Sequence, residues 1–592
     1  MCGLGGELTL DGRRPDLDAV ARMSPCLRFR GPDGSGTWAR GPLALVHHRL
    51  KIIDLSDAGA QPMADDELGL VVVFNGCVYN HLELRRELEG YGYRFRSSSD
   101  TEVVLKAYHR WGASCVERFF GMFAIAIHEL ASGRLVLARD RLGVKPLYLA
   151  ETPGRIRFAS TLPALLAAGD VDTAIDPVAL HHYLSWHSVV PPPRTILAGV
   201  RKLPPATVRT IEADGATSDR RYWNPEATRE PGPARPPQEW AEEILAVLRR
   251  AVARRMVSDV PVGVLLSGGL DSSLIVALLA QAGQQGLATF SIGFAAAGGE
   301  SGDEFEYSDL VAREFGTDHH KIPIGNDRLV PAVDAAGAAM SEPMVSHDCV
   351  AFHLLSQEVS RSVRVVQSGQ GADEVFAGYD WYPPLAGVPR ERAADAYARA
   401  FFDRTHEEMG ALLQPGRLAD GDPSRAFLEE HFAAPGAATT LDAALRMDTH
   451  VMLVDDPVKR VDTMTMRFGL EARVPFLDHE LVELASRCPP ELKLAQGGKG
   501  VLKAASRGIV PDAVIDRPKG YFPVPGVRHL EGPVLERVRA ALTSQAARDR
   551  GLFRPDVVED LLRDPNGRRT TIGGNVLWQV GLLELWLQRT GV

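Results

Sequence analysis

The stretch Val262-Gly263-Val264-Leu265-Leu266-Ser267-Gly268-Gly269-Leu270-Asp271-Ser272-Ser273 runs from an apolar segment through a glycine pair into a helical pattern. Val262 to Leu266 reads as a buried strand and Ser272 to Gln281 as a helix, so the glycines fall on the turn between them. Glycine lets backbone approach a phosphate closely, the first amides of a helix favour anions, and the serine hydroxyls add donors. Asp271 suits a magnesium ion. No Gly-x4-Gly-Lys-Ser/Thr occurs in the chain, which excludes the common P-loop. A plain tight turn is the competing reading. Downstream the alternation continues: a strand at Thr289 to Phe294, a helix at Ser308 to Phe315, a strand at Val363 to Gln367. Such alternation predicts a parallel sheet in an α/β domain.

The last of these strands runs into a second loop, Ser368-Gly369-Gln370-Gly371-Ala372-Asp373-Glu374. At the carboxyl end of a neighbouring strand it faces the same crevice as the first. Asp373 is then a second carboxylate for magnesium; a solvated turn is the alternative. Upstream, Trp240 to Arg255 has an amphipathic helical pattern, and the polar, proline-rich stretch before it reads as a linker over 225–238. The residues before that linker read as short strands and turns with a few helices. Leu70 to Phe74 is a buried strand run ending at Asn75-Gly76, His81 to Glu89 has helical spacing, and Met122 to Ile127 with Leu135 to Ala138 form a hairpin. From about 390 onward helical patterns dominate. The apolar Gly574 to Leu587 segment is expected either to pack on the core or to cover a subunit contact.

A chain of 592 residues exceeds one ordinary domain. Apolar content of 45% and charged content of 24% are those of a soluble globular protein. The net charge is −10 and no Lys/Arg-rich run occurs, which argues against nucleic acid. No apolar run is long enough for a membrane span, and the first residues lack the pattern of a signal peptide. The six cysteines are scattered without paired spacing, against zinc and against a disulfide framework. A reduced cytoplasm fits best.

The chain opens Met1-Cys2-Gly3-Leu4-Gly5-Gly6. With Met1 removed, Cys2 carries a thiol nucleophile and a free α-amine able to take the thiol's proton; an incidental buried cysteine is the alternative. Further blocks follow in order: Arg30-Gly31-Pro32-Asp33-Gly34, His48-Arg49-Leu50 with Ile53-Asp54, Phe74-Asn75-Gly76, Ser99-Asp100-Thr101-Glu102, and Arg139 to Tyr148. Near the other end stand Glu471-Ala472-Arg473-Val474-Pro475-Phe476-Leu477-Asp478 and Gly498-Lys499-Gly500-Val501-Leu502-Lys503.

Over nearly its full length the chain resembles glutamine-hydrolysing asparagine synthetases. Ser-Gly-Gly-x-Asp-Ser is the signature of ATP pyrophosphatases, which split ATP between its α- and β-phosphates. The resemblance implies an α+β N-terminal-nucleophile sandwich (αββα), a class II glutamine amidotransferase, over 1–224. It implies an α/β parallel-sheet ATP-pyrophosphatase domain with a helical C-terminal part over 239–592. It implies Cys2 as nucleophile, with the Asn75 side chain and the Gly76 N–H as oxyanion donors. Arg49, Leu50, Ile53, Cys77 and Asp100 would complete the glutamine site. There a guanidinium suits the α-carboxylate and Asp100 the α-ammonium, although Arg49 and Asp100 could instead form a structural ion pair. Ser267, Gly268, Gly269, Asp271 and Ser272 would hold phosphates, and Leu266, Ile292, Ser368 and Gly369 would line the adenosine site. Gln370, Asp373 and Lys499 would face the acceptor and its adenylate, with Lys503 competing for the lysine's role. Asp271 and Asp373 would hold Mg²⁺, and Arg517 to Tyr521 would order the loop above. ATP and glutamine are the implied substrates, and a homodimer is common in the family.

Two departures stand out. The usual Asn-Gly-Glu is here Asn75-Gly76-Cys77, so Asp100 is left to hold glutamine's amino group; Cys77 reads as a second nearby thiol or as small buried filler. The usual Ser-Gly-Glu-Gly-Ser-Asp-Glu has Gln370 and Ala372 in place of the first glutamate and the second serine. In both, and in Asp516 to Pro525, the chain is more similar to a bacterial subgroup that amidates N-acetylglutaminylglutamine. Aspartate remains the alternative acceptor. A ring-closing synthetase of the β-lactam type and a non-catalytic binding protein are the rival readings; the first tends to lose the nucleophile, the second the phosphate loop.

Overall fold

The computed structural model describes residues 2–229, 235–294, 302–518, 520 and 524–592. Two antiparallel sheets of six strands open the chain. The first has the order Arg201–Lys202, Tyr148–Thr152, Arg155–Ala159, Cys2–Thr9, Leu43–Arg49, Gly34–Arg40. The second has the order Thr217–Arg221, Thr207–Ile211, Leu135–Arg139, Gly121–Glu129, Leu70–Val78, Met63–Asp65. Leu4, Leu8, Leu45, Val71, Val73, Ala124 and Leu137 fill the space between them. The helices Leu17–Leu27 and Leu162–Ala168 cover the outer face of the first sheet, and His81–Gly90 and Asp100–Trp111 that of the second. The layers are therefore αββα. Along Leu70–Val78, Val71 and Val73 face the other sheet while Val72, Phe74 and Val78 face helices. Burial on both faces explains a strand that is apolar without alternation.

The second half is built on a five-stranded parallel sheet in the order Asp318–Ile324, Ala288–Phe294, Val262–Leu265, Val365–Gln367, Glu471–Arg473. The chain leaves Val262–Leu265 through the helix Leu270–Gln281 toward one side, then returns on the other side at Val365–Gln367. These two strands pair directly, so the switch in winding direction falls between them, where a crevice opens at their carboxyl ends. Both glycine loops sit on this crevice.

Among the described residues helices dominate after 390 as expected, with one strand as the exception. Glu471–Arg473 is the fifth strand of the parallel sheet. Three residues, two of them charged and all buried, leave neither alternation nor an apolar run to read. The terminal helix Val576–Thr590 packs on the core: Leu577, Val580, Leu583 and Trp586 are buried, and Trp586 Nε1 donates to the Met340 carbonyl at 3.1 Å. Of the linker stretch, 230–234 lie outside the described residues.

The two halves are joined by buried charge. Asp462, on the helix Pro457–Met466, accepts from Arg30 Nη2 at 2.9 Å and from Lys145 Nζ at 2.8 Å, all three residues being buried. Arg30 Nε also donates to the Cys2 carbonyl at 3.2 Å.

Candidate active sites

Cys2 starts the central strand of the first sheet, directly opposite Arg49 on the neighbouring strand. Opposed residues of an antiparallel pair point to one face, so the register alone sets thiol and guanidinium side by side. The second sheet brings Asn75 to the same place: the Cys2 N–H donates to Asn75 Oδ1 at 3.0 Å. Asn75 Nδ2 is buried and has no hydrogen-bond partner among the described residues. Cys2, Arg49, Leu50, Ile53, Gly76, Cys77 and Asp100 line one cavity, joined by Gln61, Ser99 and Glu471. Met1 lies outside the described residues.

Arg49 is held rigidly. Its Nη1 donates to the Ser56 carbonyl at 2.7 Å and its Nη2 to the carbonyls of Asp54 and Ile53 at 2.5 and 3.3 Å. Asp100 starts a helix, capped by the Ser99 hydroxyl, and accepts the Val78 N–H at 3.1 Å. The two do not pair with each other among the described residues, so the structural ion-pair reading falls. Burial pushes the Cys2 thiol and the Asp100 carboxyl up from their ordinary values. Cys77 is buried beside Arg473, whose Nη2 lies 3.7 Å from its sulfur, and burial drives its thiol far up.

The second cavity, of about 310 Å³, occupies the crevice of the parallel sheet. Leu266, Ser267, Gly269, Asp271, Ser272, Ile292, Ser368, Gly369, Gln370, Asp373 and Lys499 all line it. Gly268 turns the loop at φ +74°, where a Cβ would lie 2.7 Å from the Ser308 nitrogen. Lys499 bridges the loops: its Nζ lies 2.7 Å from Asp271 Oδ2 and 2.9 Å from Asp373 Oδ1. Burial works against its charge, yet the two carboxylates outweigh that and raise the lysine above its ordinary value. Its backbone is left-handed, φ 56°, a region that residues with a Cβ rarely adopt. Strain at this position aims the side chain into the crevice. Lys503 also reaches the cavity wall, where its Nζ donates to the Gln496 carbonyl at 2.6 Å. Arg517 Nη1 donates to the Gly268 carbonyl at 3.0 Å and its Nη2 to Glu304 at 2.5 Å, while Lys519 and Tyr521 lie outside the described residues.

Several lining residues carried no signal in the sequence. Gly378 is one: a Cβ there would fall 2.1 Å from Asp373 Oδ1 and 2.3 Å from Lys499 Cε. Phe352 and Arg460 are others, brought in by the helices Asp348–Val359 and Pro457–Met466, while Glu374 closes the second loop and Tyr379 follows it. Only the Asp-Glu pairing at 373–374 offered a hint of Glu374.

The asparagine synthase family pattern matches residues 243–588, more than half of the chain. The chain belongs to the asparagine synthase family. A glutamine amidotransferase domain pattern matches residues 1–223. Glutamine-hydrolysing asparagine synthetase 3 of Bacillus subtilis is 32% identical, with 88% of this chain and 87% of that one covered. Asparagine synthetase 1 of the same organism is 30% identical over 99% of this chain and 96% of its own. Asparagine synthetase 2 of Arabidopsis thaliana is 28% identical, with 88% and 76% covered. This asparagine synthase family member is thus a ligase of the glutamine-dependent amidotransferase type.

Proposed function

We propose that the enzyme adenylates the carboxylate of N-acetylglutaminylglutamine and amidates it with ammonia released from glutamine at Cys2. The Cys2 thiolate attacks the glutamine amide carbon. The oxyanion so formed has as donors the Gly76 N–H, on the cavity wall, and Asn75 Nδ2, buried beside Cys2 and without a hydrogen-bond partner among the described residues. Ammonia leaves, and water releases glutamate from the thioester. In the crevice the acceptor carboxylate attacks the α-phosphorus of ATP and pyrophosphate departs; Lys499 offsets the charge on the phosphates. Ammonia crosses the protein interior and displaces AMP. Exclusion of water keeps it unprotonated and protects the adenylate. Asp271 and Asp373 lie within reach of one ammonium, and two carboxylates so placed are a donor set that fits Mg²⁺. That ion would neutralise phosphate charge.

The observation that carries the acceptor is the state of the carboxylates around it. Five line the crevice. Asp271 and Asp373 are engaged by Lys499, Glu304 by Arg517, and Asp348 lies 3.6 Å from Arg460. Glu374 is pushed up to about 7, first by burial and then by the neighbouring Asp373. Four are thus paired with cations, Glu374 is biased toward its neutral form, and Gln370 stands as a neutral amide among them. Aspartate carries an ammonium; an N-acetylated dipeptide carries none and offers amides that match Gln370 in kind. The relatives' names favour aspartate as the second reading. Pyrophosphate release with ATP, Mg²⁺ and glutamine decides between them. Release with the acetylated dipeptide and not with L-aspartate is expected; release with L-aspartate alone overturns the proposal.

A further inference from the structure

The Cys2 cavity contains a carboxylate from the other half of the chain. Glu471 belongs to the parallel sheet, on the edge strand that pairs with Val365–Gln367, yet it lines the same cavity as Cys2. It is fixed there by Arg473. The Arg473 Nε donates to Glu471 Oε1 at 2.6 Å, while its Nη1 donates to the carbonyls of Arg255 and Val257, both at 2.7 Å. A guanidinium so engaged orients the carboxylate.

Glutamine enters as a zwitterion. Its α-carboxylate has Arg49. Its α-ammonium brings three N–H donors that all require acceptors once water is excluded. Asp100 already spends one oxygen on the Val78 N–H, and burial biases it toward the neutral acid. Glu471 differs. Burial opposes its charge too, but the Arg473 guanidinium outweighs burial and holds its carboxyl below the ordinary range. Asp100 and Glu471 are the two acidic residues on the cavity wall. The side chain at 77, the nearest alternative, is a thiol beside Arg473.

We propose that Glu471 binds the α-ammonium of glutamine, so that the synthetase half completes the glutaminase site. The proposal rests on the reading of Cys2 as the glutamine-hydrolysing nucleophile. A carboxylate–ammonium contact in a closed cavity discriminates strongly against a substrate that lacks the ammonium.

The test compares hydrolysis of L-glutamine with that of glutaramate, which has the same amide and carboxylate but no α-amine. Glu471→Gln is expected to raise KM for L-glutamine about ten- to hundredfold, leaving KM for glutaramate in place. Adding Cys77→Glu to that variant is expected to bring KM for glutamine back down, because it returns a carboxylate to the same wall. If Glu471→Gln does not fold, Glu471→Asp keeps the pairing charge but retracts the carboxylate; a rise in KM confined to L-glutamine is again expected. Equal loss on both substrates, or no change on either, overturns the proposal in favour of a purely structural Glu471–Arg473 pair. Absence of hydrolysis of either substrate by the unmodified enzyme instead removes the Cys2 reading beneath it.

Discussion

At the scale of single residues, the separation of the two chemistries is the sharpest claim. Cys2 lies in one cavity and Lys499 in another, with no lining residue in common. Cys2→Ala is therefore expected to abolish glutamine-dependent synthesis, by about 10³-fold or more, while synthesis from added ammonium salts persists. Assaying AMP formation with each nitrogen source checks this, and loss of both would show that the sites are not separable. The residues named from the sequence fall where their neighbours are set by strand register or by the local turn: Cys2 across from Arg49, Asn75 within the strand Leu70–Val78 against Cys2, Asp271 in the first turn of the helix after the glycine loop. Glu471 opens a block that the sequence marks, but its place in the Cys2 cavity was illegible. It gets there through long-range topology, and nothing in its local spacing encodes which sheet edge comes to rest beside the nucleophile.

At the scale of elements, the strands and helices with clear periodicity were legible to within a few residues, because burial on one or two faces imposes the pattern directly. Glu471–Arg473 was not, and neither was the irregular turn Asp448–Met452, a π-type segment between helices. The latter shows what a locally odd element can store. Asp448 is wholly buried and accepts from Tyr382 Oη at 2.7 Å, Trp381 Nε1 at 3.3 Å and Tyr397 Oη. These donors favour its ionised form, yet burial wins and lifts its carboxyl from 3.8 to about 6. Between those values the folded chain holds a proton that the unfolded chain has released. Stability therefore falls as pH rises through this window, by about 3 kcal/mol in all, and stays lower above it. Asp448→Asn removes the titrating group. Urea midpoints of wild type and variant at pH 4 and pH 7 are expected to shift in the variant's favour on going to pH 7. A pH-independent difference would place the titration elsewhere.

At the scale of the whole molecule, the question is what makes two cavities on different sheets act as one enzyme. Contact between halves alone does not suffice; the linkage has to reach the reacting groups. Asp462 does this. One carboxylate pairs with two buried cations of the glutaminase half, and one of those cations, Arg30, also holds the Cys2 carbonyl. The same helix carries Arg460, two residues earlier, on the wall of the nucleotide crevice. Replacing Asp462 with Asn leaves Arg30 and Lys145 buried without a counter-charge, a situation that costs about 3–5 kcal/mol. A large fall in the thermal midpoint is expected, and glutaminase turnover should drop with it, because Arg30 loses the partner that fixes its orientation. Replacing all three with apolar residues of similar volume separates the two effects. Buried ion clusters exchanged for packed side chains often lose no stability, so Arg30→Met, Lys145→Met and Asp462→Leu together are expected to recover the thermal midpoint. The Cys2 carbonyl would still lack its donor. Recovery of stability with glutaminase still impaired would assign the cluster to positioning of the nucleophile, whereas recovery of both would reduce it to a structural bridge between the halves.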